Sequence, residues 1–218
     1  MSGKCLAPSQ LPGKLLPRSF FEAPPQEVAP KLLGMLLVRL SAGAAMAGRI
    51  VEAEAYLGPH NDPPDPAAHA WSGPTPRNRI LFESAGHAYI YSIYGRYFCM
   101  NVSCEREGQA GCVLLRALEP VTGRERMARN RGLSASAADR EIARGPGRLC
   151  QALGLDRQAH NGLDLTNAGS PLQLRDDGYK VLQVLVTPRI GIRKAVEWPL
   201  RFAVAGNRCV SGPLRGRV

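Results

Sequence analysis

Residues 88–103 read AYIYSIYGRYFCMNVS, and this stretch decides the fold class. Ala88–Ile93 and Tyr97–Ser103 are dense in aromatic and branched side chains, the composition of β-strands, and Tyr94-Gly95-Arg96 between them reads as a turn. So short a connection permits only antiparallel pairing. Downstream, Cys112–Leu118 reads as a third strand of the group. Upstream, Arg49–Tyr56 (RIVEAEAY) alternates with period two, placing Glu52, Glu54 and Tyr56 on one face and Val51, Ala53 and Ala55 on the other.

Helical patterns lie around these strands. Pro25–Leu37 carries apolar residues at helical spacing, with Pro30 marking a kink. Thr122-Gly-Arg-Glu125 has the form of a capping box opening a helix to about Arg131, with Gly132 beyond its end. Pro146–Leu153, closed by Gly154, reads as a short helix, and Lys180–Val186 and Arg201–Val204 as late strands. Residues 58–78 hold six prolines and form a long loop of the kind that carries function. Residues 1–17 read as a flexible lead-in and 18–218 as one domain, of α+β class with a mainly antiparallel sheet.

Composition narrows the function. In 218 residues, 28 Lys+Arg against 18 Asp+Glu give a net charge of +10, a surface that attracts polyanions such as nucleic acid. No apolar run approaches the roughly 18–20 residues of a membrane span, and the N-terminus has no continuous apolar stretch of a secretory signal. An intracellular protein with reduced thiols is therefore expected. The six cysteines (Cys5, Cys99, Cys104, Cys112, Cys150, Cys209) form no CxxC pair and read as small buried hydrophobes, so no metal is expected. There is no P-loop and no GxGxxG, and no cofactor is expected.

Several residues are out of place for a purely structural role. Arg116 shares an otherwise apolar face with Cys112, Leu114 and Leu118, and a guanidinium there needs a partner: a structural carboxylate such as Glu52 or Glu119, or a substrate phosphate or water. The Glu52–Glu54–Tyr56 face is either the solvated side of an edge strand or a pocket able to stack a flat ligand and activate water. Asn101 falls on the face shared by Tyr97, Cys99 and Ser103. Tyr94, beside Gly95 at the hairpin tip, suits a wedge between base pairs, and Arg77 and Arg79 of TPRNR suit a grip on the DNA backbone.

Jointly these segments resemble the alkyladenine (3-methyladenine) DNA glycosylase family. The resemblance rests on RIVEAEAYLGP, AAHA, TPRNR, YIYSIYGRYFCMNVS, GCVLLRALEP, GPGRLCQALG and EWPLRF, in order from about Leu15 to Val210. It implies a single compact α+β domain, with a mainly antiparallel curved sheet, peripheral helices and a protruding hairpin. It also implies a base-flipping enzyme of base excision repair that acts on double-stranded DNA and hydrolyses the N-glycosidic bond of damaged purines. The substrates implied are alkylated adenine or guanine, with hypoxanthine and ethenoadenine as further candidates.

Carried over by motif, Glu54 is the general base, supported by Glu52. Arg116 holds the water and the adjacent phosphate, and the Ile190 carbonyl is a further water contact. Tyr56, His69 and Tyr91 wall the base, and the His69 backbone N–H assists neutral leaving bases. Asn101 excludes the guanine amino group. Tyr94 fills the gap left by the base, and Leu81 stands where a wedge into the opposite strand would lie. No lysine falls in the motifs, so a monofunctional enzyme, acting as a monomer, is expected. A noncatalytic damaged-DNA or RNA binding module of the same fold is the alternative, against which Glu54 argues.

Overall fold

A thirteen-residue strand, Ala44–Tyr56 (β3), organises the sheet. One of its edges pairs with Gly111–Thr122 (β6) from Ala47 to Tyr56. Its other edge takes Leu36–Ser41 (β2) along residues 44–49 and Arg201–Val204 (β9) along residues 52–54. The computed structural model describes residues 13–41 and 44–213. With Lys14–Leu15 (β1), Ala88–Ile93 (β4), Tyr97–Cys104 (β5), Leu172–Asp176 (β7) and Val184–Thr187 (β8), the nine strands run β1-β7-β2-β3-β6-β5-β4, and β8 pairs β9. Every named pairing is antiparallel. Helices α1 (Pro25–Leu32), α2 (Arg124–Asn130), α3 (Asp139–Ile142), α4 (Pro146–Leu153) and α5 (Arg157–His160) complete one compact α+β domain.

The two faces of the sheet have different fates. Ala88 and Ile90 of β4, Met100 and Val102 of β5, Val113 and Leu115 of β6, and Val51, Ala53 and Ala55 of β3 enter the main core. There they meet Val28 and Leu32 of α1 and Leu149 and Leu153 of α4. Each fully buried side chain of this size contributes roughly 1.5–3 kcal/mol by leaving water. The alternating positions, Tyr89, Tyr91, Cys99, Asn101, Cys112, Leu114, Arg116, Glu52, Glu54 and Tyr56, belong to the other face.

A fault in the ladder makes this possible. In the first half of β3 the even-numbered Met46 and Ile50 are core residues, whereas beyond Val51 the odd-numbered ones are. The pairing with β6 shifts register between Ile50 and Glu52 and again between Glu52 and Ala53. Such a bulge flips the side-chain phase of everything beyond it. Without it, Glu52 and Glu54 would point into the apolar core. The same irregularity turns Leu118 into the core, so it does not share the face of Arg116 as its spacing predicts.

Several expected elements differ. The helix from Pro25 stops at Leu32 rather than Leu37, because Pro30 lacks an amide donor and Gly34, at φ 89°, turns the chain into β2. The Thr122 capping box does not form: Thr122 is held in β6 opposite Ala47, and Gly123 at φ 71° opens α2 without a side-chain cap. The late strand begins at Val184, not Lys180, because Asp177 and Tyr179 are held by Arg49 instead of a strand partner. Lys14 and Leu15, expected in the lead-in, pair with Asp176 and Arg175. The rest of that lead-in up to residue 12, including Cys5, lies outside the described residues. Cys99, Cys104, Cys112, Cys150 and Cys209 are buried free thiols. Among the described residues no helix is long and apolar enough to cross a membrane, and no cluster of His, Cys, Asp and Glu could hold a metal ion.

Gly58, where β3 hands over to the proline-rich loop, tests how tightly that loop is seated. A Cβ there would stand 1.6 Å from the backbone carbonyl oxygen of Ala110. Gly58→Ala is expected to cost about 3 kcal/mol or more, read as a fall in the thermal or urea midpoint. An unchanged midpoint would show that the loop can shift freely.

Candidate functional site

A cavity of about 320 Å³ opens on the face of the sheet away from the main core. Its lining includes Tyr91 and Tyr94 from β4 and the hairpin tip, Cys99 and Asn101 from β5, Cys112, Leu114 and Arg116 from β6, and Tyr56 from β3. Ala67 and His69 of the proline-rich loop, Pro146 of α4 and residues 190–192 close its sides. The period-two spacing of four strands thus converges on one hollow.

Beneath it lie two carboxylates, Glu52 and Glu54, neither with exposed surface. Glu54 Oε1 accepts the Ile190 N–H at 2.7 Å, and its Oε2 accepts the Tyr56 hydroxyl at 3.0 Å and stands 3.3 Å from Arg116 Nη1. Tyr56, Ile190 and Arg116, which hold Glu54, therefore also line the cavity. Glu52 Oε1 accepts the Nε–H of both Arg116 and Arg201, each at 2.8 Å, and the Ser211 hydroxyl at 3.0 Å; its Oε2 accepts the Ser211 N–H at 2.6 Å. Arg201 is completed by Thr187 Oγ1 and the carbonyls of Ser211 and Pro213.

Two carboxylates and two guanidiniums balance in charge, which is what makes their burial tolerable. Burial holds the Glu54 carboxyl above its ordinary value, against the opposing pull of Arg116, the Ile190 N–H and the Tyr56 hydroxyl. Burial also works against the charge on Arg116, but Glu54 and Glu52 outweigh it and keep its value raised.

The ring walls are set in the same way. His69 Nδ1 lies 3.0 Å from the Tyr89 hydroxyl, and the His69 and Tyr91 rings meet edge to face with centroids 4.5 Å apart. Asn78 anchors the loop by donating to the carbonyls of His69 and Gly73 and accepting from the Thr75 amide and hydroxyl. Burial, reinforced by Arg77, holds the His69 imidazole below its ordinary value, so it is neutral at pH 7. Burial raises Tyr56 and Tyr91, and Tyr89 to about 12, leaving all three as phenols. Asn101 is fixed in orientation, its Nδ2 donating to the Tyr89 carbonyl and its Oδ1 accepting from Cys112 Sγ. Tyr94 is 91% exposed, at φ 51° beside Gly95 at φ 65°, with Arg96 N–H donating to the Ile93 carbonyl. This is a type I′ turn, which thrusts the ring outward at a cost in backbone strain.

Comparison with known proteins places the chain in a family. Residues 19–208 match the methylpurine-DNA glycosylase family. The chain belongs to that family, whose members are DNA-repair glycosylases. It is 52% identical over 197 residues to a protein of Koribacter versatilis, covering 90% of this chain and 93% of that one. A Burkholderia lata protein is 45% identical over 207 residues (94% and 95%), and one from Rhodopseudomonas palustris strain HaA2 43% over 218 residues (99% and 100%). All three carry the name "Putative 3-methyladenine DNA glycosylase".

Of the residues this family member's sequence singles out, Tyr56, His69, Tyr91, Tyr94, Asn101 and Arg116 all line the cavity, and Glu54 lies directly under it. Arg77 and Arg79 are exposed, Arg77 with its guanidinium 5.5 Å from the Tyr91 ring. At Ile190, expected to offer its carbonyl to the water, it is the N–H that donates to Glu54, a contact the sequence did not suggest. One expectation needs correction, that for Leu81. Leu81 is 1% exposed in a small second core with Ile80 and Tyr89, and so cannot reach a DNA strand. Away from the cavity, Arg124 is held by Asp139 and the carbonyls of Ala135 and Ala137, and Arg126 by Ser41. Arg201, Ser211 and the buried Asp65–Arg189 pair escape sequence reasoning, since each meets its partner across more than a hundred residues.

The shift on Glu54 has a direct consequence for stability. The folded protein holds this proton more tightly than the unfolded chain, so Glu54 makes stability fall as pH rises from the ordinary glutamate value through its own raised one. Above that window the loss is complete. The difference in melting temperature, Glu54→Gln minus wild type, should therefore be larger at pH 7 than at pH 4. A difference independent of pH would mean that the carboxyl is unshifted.

Proposed function

We propose that this protein flips a damaged purine nucleotide out of duplex DNA into the cavity and hydrolyses its N-glycosidic bond with water deprotonated by Glu54. The observation that carries the reading is a ring-walled cavity lying directly over a buried carboxylate, with an exposed tyrosine at its mouth. A carboxylate offers about four acceptor positions, and three on Glu54 are taken by Tyr56, Ile190 and Arg116. One is left for a water, which the cavity above it can supply. In the reaction the water oxygen bonds to the sugar C1′, its proton passes to Glu54, and the C1′–N bond breaks with its electron pair leaving on the base. The products are the free purine and an abasic sugar.

A base between two rings needs their planes about 7 Å apart, twice an ordinary contact distance. His69 and Tyr91, with centroids at 4.5 Å, make one wall together, which leaves Tyr56 for the other. Each stacked contact returns roughly 1–3 kcal/mol towards the cost of unstacking the base. An alkylated purine is cationic, and the tyrosine faces attract it while the neutral His69 does not repel it. Asn101, locked by Tyr89 and Cys112, is placed to reject an exocyclic amino group of guanine. Tyr94 would fill the gap in the stack. No lysine is among the cavity-lining residues, which supports water as the nucleophile and a monofunctional enzyme. Exposed Arg77, 5.5 Å from the Tyr91 ring, and exposed Arg79 and Arg96 are available to phosphates.

Single-turnover excision from duplexes carrying an alkylated purine, hypoxanthine or ethenoadenine tests the reading. Glu54→Gln is expected to lose about 100- to 10,000-fold in rate with duplex binding retained. The wild-type rate should fall on the acid side at a pH above the ordinary carboxylate range, where Glu54 takes up its proton. Excision by Glu54→Gln at the wild-type rate would remove the general base, and binding without excision by the wild type would favour a noncatalytic module. Tyr94→Asn places a side chain that tolerates the left-handed backbone at the tip, so it should fold at least as stably. Its affinity for lesion-bearing duplex should drop about tenfold, the loss of one stacking contact; full affinity would exclude the ring from the DNA.

A further inference from the structure

Behind the Tyr56 wall lies an ion pair that the reaction itself does not use. Asp65 and Arg189 have no exposed side-chain surface and meet through both carboxylate oxygens, Arg189 Nη2 donating to Asp65 Oδ1 at 3.0 Å and Nη1 to Oδ2. Asp65 also accepts the backbone N–H of Leu57 at 3.2 Å and of Ala67 at 2.9 Å. Arg189 Nη1 donates to the Ala55 carbonyl at 3.0 Å, and its guanidinium lies 4.6 Å from the centre of the Tyr56 ring. Tyr56 lines the cavity whereas Arg189 does not, so the guanidinium backs the ring and leaves its other face to the ligand.

Stability alone is a poor reason for such a pair. A buried ion pair is commonly matched or bettered by apolar side chains of the same volume. Here, among the described residues, Arg189 Nε–H finds no acceptor at all, an added cost. What the pair does achieve is connection. It joins the end of β3 (Ala55, Tyr56) and the adjoining Leu57, the proline-rich loop two residues before Ala67 and four before His69, and the segment whose next N–H, that of Ile190, binds Glu54.

We propose that the Asp65–Arg189 pair is a positioning device that locks the Tyr56 wall, the loop carrying His69 and the Ile190 amide into one unit, fixing Glu54 relative to the bound base. This rests on the function proposed above for Glu54, but the locking itself can be read without substrate. The pair acts through Tyr56 and Ile190 and touches neither base nor water. The remaining groups facing Glu54 are Arg116 from β6, Glu52 from β3 and Cys99 from β5, with Arg201 of β9 behind Glu52. Their own hydrogen bonds and ion pairs run to one another and to Tyr91, Ser211, Thr187 and Pro213 rather than to Asp65 or Arg189, so they stay in place when the pair is removed.

The test uses the double variant Asp65→Asn/Arg189→Gln, which leaves no lone buried charge, beside Arg189→Lys, which keeps the charge but loses the two-pronged bond. In free protein, amide exchange in residues 57–69 and 188–192 should quicken together at least tenfold, with β4 to β6 unchanged. Excision at pH 7 should fall about tenfold, and its acid limb should move to higher pH, because two hydrogen bonds favouring ionised Glu54 have loosened. Arg189→Lys should fall between wild type and the double variant in both readouts. If the double variant does not fold, Arg189→Lys carries the same comparison. Unchanged exchange in both segments overturns the proposal. So does quickened exchange with wild-type rate and acid limb, which would make the pair a staple only. Excision by Glu54→Gln would instead sink the functional reading, while the exchange result still decides the lock.

Discussion

Two carboxylates two residues apart on one strand are buried without any exposed surface, and the rest of the structure is arranged to make that possible. An ionised carboxylate out of water is costly unless charge and hydrogen bonds replace the solvent. Glu52 receives the fuller set, from Arg116, Arg201 and both donors of Ser211. Glu54 receives less, from Arg116, Tyr56 and Ile190, and its proton affinity is raised accordingly. The inequality is useful. In the proposed reaction the well-satisfied group holds the arginine in place, and the less satisfied one keeps basicity for a water.

Meeting those demands draws in distant parts of the chain. Ser211 and Pro213 come from the last described residues, Thr187 from β8, Arg201 from β9 and Ile190 from the segment between those strands. The register shift in β3 supplies the geometry by turning both carboxylates away from the helical core. Opposite this rigid floor stands a hairpin tip with an almost fully exposed tyrosine, held only by its turn. The proposed reaction needs precision where a proton moves, and reach where a duplex is opened. The net charge of +10 divides on the same lines. Arg18, Arg49, Arg116, Arg124, Arg189 and Arg201 are bound to carboxylates within the fold, whereas Arg77, Arg96, Arg193 and Lys194 stand exposed for a polyanion.

Much of the fold was legible from local pattern. The β4–β5 hairpin, α4 and β9 lie where composition and turn residues put them, because their signals are local: alternation, a proline at a helix start, a glycine at its end. The errors occur where a neighbour overrode a local preference. Thr122 has the sequence of a cap but commits its backbone to β6, and residues 33–37 continue a helical pattern that Gly34 and the β2 pairing interrupt. The cavity residues were legible as types in a pattern, since Arg116 and Asn101 are costly on apolar faces without a purpose.

By itself the sequence determined which side chains can share a face, and hence that Glu54, Tyr56, Tyr91, Asn101 and Arg116 are available to one side of a sheet. Period-two geometry is a property of any strand and needs no partner. Only the tertiary structure decided which side that is. The phase depends on the register shifts around Glu52 in the β3–β6 ladder, and neither their position nor the carboxylates' burial is encoded locally. It also decided the partners of those charges, Glu52 with Arg201 and Asp65 with Arg189, because a buried charge takes whichever counter-charge the fold delivers.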